Sequence, residues 1–355
     1  MDVGAIVPWQ ENFKRGVEQN ALHKAMKIWA NSELTFLAEY QNDPPVATDG
    51  TIIVPPETIR KRINGLDRDE VPPRATALTA GIDVHGDILY CVVSAWEDNA
   101  TGSIIDYFAY PEQSRDYFQK RESGLKTLKK RYPGTKVEGA VLLGVTELLT
   151  MLLRKKYRSG ERVMQIEKIV IDAGYLHDQV EGAVIKTGAT ATVIPTKGHA
   201  VKVDGQPMAE WRKKPKRKKG IYMVLDRVDG RKLPVCYHDS NYWKSSVHDA
   251  LGMEVGERGG LSLWGRNGDR HRMFSEHLNA ETVTSVTGKH RFDMWREKPN
   301  LDNHLFDATK MAFVASRMIG IMTESEAELY LKLKKGEQKR RQKADGRNSA
   351  ISPKY

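Results

Sequence analysis

Alternating apolar and polar residues between positions 78 and 110 predict three β-strands. The segment LTAGIDVH runs to a turn at Gly86-Asp87, and ILYCVVSAW follows directly after that turn. A third run, GSIIDYFAYP, begins after Thr101-Gly102. β-branched and aromatic residues favour strands, whereas glycine and aspartate favour the turns between them. The pattern therefore predicts a β-hairpin followed by a third strand.

The next apolar runs alternate between helical and strand periods. Residues 141–158, VLLGVTELLTMLLRKKYR, predict a helix that is apolar on most of its surface and basic at its C-terminal end. KIVIDAG then predicts a strand buried on both faces, YLHDQVEGAVIKTG a helix ending at Gly188, and ATVIPTKG a fifth strand. The order β-β-β-α-β-α-β predicts an α/β fold with a mixed sheet flanked by helices.

The remaining segments divide the chain into four predicted parts. Residues 1–42 have helical periodicity, and residues 43–76 carry three Pro-Pro pairs that favour an extended linker. Residues 77–325 form the predicted α/β domain, and residues 326–355 form a basic tail. Within the domain, residues 199–270 are predicted to be an irregular, basic insertion.

Two elements stand out in the second half of that domain. One is a β-hairpin in the insertion, IYMVLDRV-DG-RKLPVCY, because Asp-Gly is a favoured two-residue turn. The other is a helix over 301–321, with Asp302 as its N-cap and with Leu305, Ala308, Ala312, Ala315 and Ile319 on one apolar stripe.

The charge and the cysteine count narrow the class of protein. The 355 residues carry a net charge of +10, which indicates a polyanionic partner such as nucleic acid. Cys91 and Cys236 form no CxxC pair, so we expect neither a disulfide framework nor a cysteine zinc site. A reducing cytoplasm fits this composition. No run of 18 apolar residues is present, so no membrane span is expected.

Three aspartates occupy positions where an acid is costly for the fold. Asp83 lies within the first strand on the same face as His85, Asp172 ends the fourth strand, and Asp307 lies on a second, largely apolar face of the late helix. Each has a structural alternative. Asp83 suits pairing with a loop lysine, Asp172 suits capping a helix that begins near Tyr175, and Asp307 suits a solvated helix position.

Convergence of the three carboxylates at one point would require a divalent cation, since like charges repel. Mg²⁺ and Mn²⁺ prefer carboxylate oxygens, and two such ions can activate water and stabilise the leaving oxygen of a phosphodiester. Acids on a basic chain therefore predict metal-dependent phosphodiester hydrolysis with two ions. Spacing alone does not separate these three from four competing acids, Asp87, Asp106, Asp178 and Asp302.

The motifs resemble the large terminase subunits of tailed phages, most closely their lambda-like branch, whose nuclease domain is ribonuclease H-like. LTAGIDVH is similar to the first nuclease strand of that family, VIDAGY to its second acidic motif, and VIPTKG to the strand that follows. NHLFDATKMA is similar to the last motif, and FLAEYQNDP to the segment that joins the ATPase and nuclease domains. The resemblance spans residues 8–320.

The resemblance implies a function and a set of partners. Asp83, Asp172 and Asp307 correspond to the metal-binding triad of an endonuclease that cuts concatemeric viral DNA during packaging. Its partners would be double-stranded DNA, a small terminase subunit, the portal or procapsid, and further copies of this chain. It would act in the host cytoplasm. A resolvase- or transposase-like nuclease and a non-catalytic DNA-binding packaging protein are the alternatives. The sequence contains no G-x-x-x-x-G-K-[ST], so we expect no ATPase motor within it.

Further residues are candidates around this site. His85, Lys197, His304 and Asn303 are expected to surround the acids, the histidines either orienting a ligand or simply being satisfied in the core. The densest basic cluster is expected to bind DNA phosphates, with a solvated loop as its structural alternative. It contains Arg212, Lys213, Lys214, Lys216, Arg217, Lys218 and Lys219.

Overall fold

A mixed β-sheet forms the centre of the protein, in a computed structural model that describes residues 11, 13, 18–31, 53–200, 208, 218–287 and 291–335. Within these residues the sheet has nine strands, in the spatial order β11-β3-β2-β1-β6-β7-β10-β9-β8. Two short hairpins lie apart from it, β4 (Tyr157–Ser159) with β5 (Arg162–Met164) and β12 (Glu281–Thr287) with β13 (Arg291–Glu297). The sheet strands are β1 (Ala77–Val84), β2 (Leu89–Trp96), β3 (Gly102–Tyr110), β6 (Lys168–Asp172), β7 (Val193–His199), β8 (Lys218–Lys219), β9 (Met223–Asp226), β10 (Val235–Asp239) and β11 (Leu261–Leu263).

The sheet contains both antiparallel and parallel strand pairs, as a mixed sheet requires. β2 is antiparallel to both β1 and β3, whereas β1, β6, β7 and β10 run parallel. β6 lies near the middle of the sheet, and Ile169, Val170 and Ile171 are fully buried. Helices cover both faces of a parallel sheet, which is why this strand is a continuous apolar run.

Helices pack on the two faces of the sheet and separate two apolar cores. The helices are α1 (Ala21–Asn31), α2 (Pro56–Arg60), α3 (Leu128–Arg131), α4 (Val137–Arg154), α5 (His177–Lys186), α6 (Ser240–Gly252), α7 (Arg272–Leu278) and α8 (His304–Met318), and residues 324–335 are also helical. α4 and α5 share one core with the sheet, and α6, α7 and α8 share the other. The predicted mixed α/β architecture is therefore confirmed. None of the described helices is long and apolar enough to cross a membrane.

α8 lies directly against β1, and a glycine makes this approach possible. A Cβ atom on Gly81 would stand 1.9 Å from the carbonyl oxygen of Ala308, so only glycine fits here. The hydroxyl of Thr79, two residues earlier on the same face, donates to the carbonyl of Ala312 at 3.0 Å. α8 is buried around almost its whole circumference rather than along one stripe, because α6 and α7 cover its other side.

The start of α8 differs from the prediction. Asn303, not Asp302, stands at the N-cap position, and the helix begins at His304. Asp302 instead accepts a hydrogen bond from the backbone N–H of Lys120 at 2.6 Å. Spacing alone does not distinguish two adjacent cap residues, and the contact with the loop around Lys120 is tertiary.

The predicted irregular insertion, residues 199–270, contains regular structure that extends the sheet at both edges. Its hairpin is confirmed as β9 and β10, and β10 pairs with β7, so the hairpin belongs to the main sheet. The segment NYWKSSVHDAL has a helix-like pattern and forms most of α6, whereas β11, which pairs with β3 at the opposite edge, has no such signal. The segment looks irregular in sequence because its strands are short and their apolar runs are interrupted by glycine and charge.

The predicted linker and the helix predicted over residues 141–158 also differ in part from the sequence prediction. Residues 53–76 pack on the domain: Ile59 is fully buried, and Ile63 forms a bridge to Leu263. The helix predicted over 141–158 ends at Arg154, and Tyr157 begins β4. The division of the chain at 42, 76 and 325 stays a prediction.

Candidate functional site

Asp83 and Asp172 lie at equivalent ends of two neighbouring parallel strands. Ile82 of β1 pairs in register with Ile171 of β6, and each aspartate is the next residue along its strand. Side chains alternate along a strand, so both carboxylates project from the same face of the sheet. This is the face on which α8 packs, because Gly81 and Thr79 contact that helix. The expected proximity of strands one and four is confirmed.

Asp307 approaches the same point from the first turn of α8. Its carboxylate is close enough to Asp83 and Asp172 for their charges to act on one another's pKa values. The three acids predicted from the sequence are therefore gathered at one end of the central strands. The four competing acids are elsewhere or otherwise engaged: Asp87 lies in the β1–β2 turn, Asp106 pairs with Arg68 and Lys155, Asp178 pairs with Arg231, and Asp302 binds the Lys120 backbone.

Of the three aspartates, Asp172 has the fewest hydrogen bonds and ion pairs to offset the burial of its carboxylate. Its Oδ1 atom accepts a hydrogen bond from the backbone N–H of Gly174 at 3.2 Å, and within the described residues it forms no ion pair. Burial and the nearby Asp83 charge raise the pKa of its carboxyl to about 7, although Gly174 and Lys310 act in the opposite direction. The helix-cap alternative is wrong, since α5 begins at His177 and its N-cap residue is Leu176.

Two histidines surround the Asp83 carboxylate. His304 Nδ1 lies 3.0 Å from Asp83 Oδ2, and His85 Nε2 lies 3.5 Å from the same oxygen. Burial alone would raise the pKa of Asp83, but hydrogen bonds from these imidazoles hold it well below its usual range. Lys120 Nζ lies 2.8 Å from His85 Nδ1, so the lysine donates to that nitrogen and leaves the proton of a neutral ring on Nε2.

Asp307 is compensated by two lysines rather than by solvent. Lys310 Nζ donates to Asp307 Oδ1 at 2.6 Å, and Lys244 Nζ lies 3.4 Å from the same oxygen. Burial opposes ionisation, but the two ammonium charges lower the pKa of Asp307. The solvated-helix alternative for this acid is therefore wrong.

Glu281 completes this part of the site. It is buried, pairs with Lys244, and accepts a hydrogen bond from Asn303 Nδ2 at 2.8 Å. Asn303 thus contacts the network through Glu281. Sequence reasoning did not identify Lys244, Glu281 and Lys310 as site residues. Lys310 stands one helical turn after Asp307, a spacing that indicates a contact, whereas no local signal links Lys244 or Glu281 to the acids.

Other predicted residues have less direct relations to the acids. Lys197 stands beside Thr196, the ladder partner of Asp172, but its charge acts on His177, and within the described residues it forms no ion pair with the three aspartates. Lys218 and Lys219 form the edge strand β8. The other members of the basic cluster, Arg212, Lys213, Lys214, Lys216 and Arg217, lie outside the described residues.

The donor atoms of this site suit a hard divalent cation. Oxygen atoms from carboxylates are the ligands that Mg²⁺ and Mn²⁺ prefer, and imidazole nitrogen is acceptable to Mn²⁺. Among the described residues, the ligand atoms of Asp83, His85 and His304 all lie within 4.8 Å of one another. Asp172, a carboxylate of raised pKa beside a second carboxylate, is a position that a cation would stabilise. The residues present therefore fit such an ion.

Two solved structures of other proteins are similar to this chain. The chain is similar to the large terminase nuclease from thermophilic phage G20c at 8% identity and a TM-score of 0.34, over 75% of this chain and 98% of that one. It is also similar to RuvC from Thermus thermophilus at 14% identity and a TM-score of 0.25, over 68% and 96% of the two chains. No curated protein matches.

A family comparison covers most of the sequence. The model of the family "Terminase large subunit gpA, endonuclease domain" matches residues 17–327, a range that includes every element of the nine-stranded sheet and all three aspartates. The motifs that resembled a terminase nuclease in the sequence lie within this match. The chain therefore belongs to the terminase large subunit gpA endonuclease domain family.

Proposed function

We propose that this protein is a divalent-metal-dependent DNA endonuclease that cuts concatemeric viral DNA during genome packaging. The observation that carries the proposal is the register of β1 and β6, which puts Asp83 beside Asp172 on the face covered by α8. Family membership supports the endonuclease class. The packaging role, the metal dependence and the identity of the catalytic residues are the parts proposed.

Asp83, Asp172 and Asp307 would hold Mg²⁺ or Mn²⁺, with His304 and His85 beside Asp83. A bound divalent ion supplies Lewis-acid activation of water and stabilises negative charge on phosphate oxygens. The protein residues contribute orientation: His304 and His85 fix the Asp83 carboxylate, and the backbone N–H of Gly174 fixes that of Asp172. The number of ions, predicted from the sequence to be two, stays a prediction.

Double-stranded DNA is the proposed substrate, and the basic excess of the chain supports it. A net charge of +10 favours phosphate binding that is independent of base sequence and weakened by salt. The basic cluster from Arg212 to Lys219 is the proposed DNA contact. The small terminase subunit and the portal or procapsid are the proposed partners, with assembly in the host cytoplasm.

Plasmid cleavage tests the proposal directly. Purified protein would be incubated with supercoiled plasmid and Mg²⁺ or Mn²⁺, with EDTA in parallel reactions. We expect nicked or linear products only with metal, and a loss of at least a hundredfold in rate for Asp172→Ala. Asp178→Ala is the matched control, because Asp178 on α5 is an exposed acid that pairs with Arg231.

Equal cutting by Asp172→Ala and the wild type would overturn the site assignment. Salt-sensitive DNA binding without any metal-dependent cutting would instead support a non-catalytic packaging protein. Preferential cutting of four-way junctions over linear duplex would support a resolvase-like nuclease.

A further inference from the structure

Two buried lysines contact Asp307, the third aspartate of the site. Lys310 and Lys244 are each 7% exposed, and both ammonium groups contact the same oxygen, Asp307 Oδ1. They come from different elements, one turn further along α8 and from α6. Burying a lysine costs free energy unless its charge is paired. The two lysines therefore form a buried ion-pair network with Asp307, not an exposed surface ion pair.

The lysines are held in place by further hydrogen bonds. Lys310 Nζ also donates to Ser240 Oγ at 3.0 Å, where α6 begins. Lys244 Nζ pairs with the buried carboxylate of Glu281, which is itself fixed by Asn303 Nδ2 at 2.8 Å. Although burial opposes it, the Asp307 and Glu281 charges hold the pKa of Lys244 above its usual range, so this residue stays a cation.

The Lys310 ammonium acts on more than one of the acids. Its charge lowers the pKa of Asp172 as well as that of Asp307. The ammonium group of Lys310 contacts Asp307 and Ser240, whereas Asp83 is contacted by His85 and His304. A second cation shared by Asp172 and Asp307 would compete with Lys310 for the same carboxylate oxygen.

Charge balance in this network leads to the same conclusion. Two ammonium groups, Lys244 and Lys310, pair with two carboxylates, Asp307 and Glu281, so the charges of these ion pairs already balance. A second divalent ion would place an excess of positive charge beside two buried ammonium groups, and like charges at close range repel.

We propose that Lys310, supported by Lys244, takes the place of a second divalent ion, so that the centre binds one divalent ion per chain. The inference rests on the proposed metal-dependent nuclease and revises its ion count. Lys310 is then a resident cation at the Asp307 side of the centre, and Lys244 is a positioning residue that acts through Asp307 and Glu281.

Mn²⁺ stoichiometry tests the inference without reference to cutting. Bound Mn²⁺ would be measured by electron paramagnetic resonance, first with protein alone and then with duplex DNA whose phosphorothioate linkages resist hydrolysis. We expect one ion per wild-type chain in both conditions. Lys310→Met removes the ammonium at similar side-chain volume and should raise the count to two, whereas Lys310→Arg, which keeps the charge, should leave it at one.

The control is Lys168→Met, a half-buried lysine on β6 that donates to the carbonyl of Ala191 at 2.6 Å, and its count should remain one. Circular dichroism would establish that each variant is folded. Two ions per wild-type chain would overturn the lysine proposal and leave the nuclease intact. One ion in both wild type and folded Lys310→Met would also overturn it. No bound Mn²⁺ in the wild type would contradict the proposed metal dependence itself.

Discussion

The imidazole of His304 donates to the carboxylate of Asp83, with Nδ1 and Oδ2 3.0 Å apart. This contact joins the first residue of α8 to the end of β1, and the two residues are 221 positions apart in the sequence. Because Asp307 lies one turn further along α8, the same contact sets where the third acid stands relative to the first two. The histidine thus links the orientation of one acid to the position of another.

Replacing His304 with alanine should weaken the site without removing any acid. Groups that orient a metal-binding carboxylate typically contribute about ten- to a hundredfold in metal affinity or activity, and we expect a loss in that range. Mn²⁺ affinity and plasmid cutting would be measured together. His23→Ala is the control, since His23 contacts the backbone of Gln19 in the N-terminal segment. Unchanged values for His304→Ala would show that the contact does not orient the site.

The stability of the metal-free protein should depend on pH through Asp172. Its pKa rises from 3.8 to about 7 on folding, so the carboxyl stabilises the fold while protonated at low pH, and this contribution is lost as pH rises towards 7. Asp172→Asn cannot ionise. Its stability advantage over the wild type should therefore grow by about 2 kcal/mol between pH 5 and pH 7.

Urea unfolding in EDTA at pH 5 and at pH 7 to 8 measures this difference. The comparison with wild type at each pH cancels the titration of other groups. The same variant should lose metal-dependent cutting, so it would be more stable and less active. A stability difference that is constant across this pH range would contradict the raised pKa of Asp172.

Gly81→Ala should separate α8 from the sheet. Its Cβ would stand 1.9 Å from the Ala308 carbonyl oxygen and 2.7 Å from the Ala312 nitrogen, both backbone atoms that cannot rotate away. Overpacking against backbone should cost about 3 kcal/mol or more in the free energy of unfolding. Cutting should fall in parallel, since Asp307 would move relative to Asp83.

The matched control for Gly81 lies in α4. A Cβ on Gly139 meets the Thr135 Cβ at 3.5 Å, an ordinary contact, so Gly139→Ala should be neutral or stabilising by about 0.5–1 kcal/mol. Urea unfolding of both variants gives the comparison. Equal stability of the two would show that α8 does not need its close approach to β1.

Neutralising the basic cluster should weaken DNA binding in a salt-dependent way. Changing Lys213, Lys214 and Lys216 to glutamine should lower the slope of log affinity against log salt by about 0.9 for each phosphate that is no longer neutralised. Fluorescence anisotropy with labelled duplex at several salt concentrations measures the slope. The comparison triple, Lys332, Lys334 and Lys335 to glutamine, tests the predicted basic tail. A larger effect from this second triple would assign DNA binding to the C-terminal end instead.

The amino-acid sequence predicted the elements that carry the acids because those elements have strong local signals. The runs around Asp83 and Asp172 are apolar and β-branched, and the helix around Asp307 has a clear 3.6-residue period. The segment from 199 to 270 has no regular sequence pattern because its strands are short. The pairing of β11 with β3 depends on residues far apart in the chain.

Local pattern alone determined which residues are acids on apolar elements, and it indicated nuclease chemistry through their order. Only the tertiary structure decided what neutralises them. The parallel register of β1 and β6 aligns Asp83 with Asp172, and the close approach at Gly81 brings Asp307 to the same end of the sheet. Lys244 and Glu281 enter the site from α6 and β12, since burial of a charge is compensated by whichever group the fold places nearby, not by sequence neighbours.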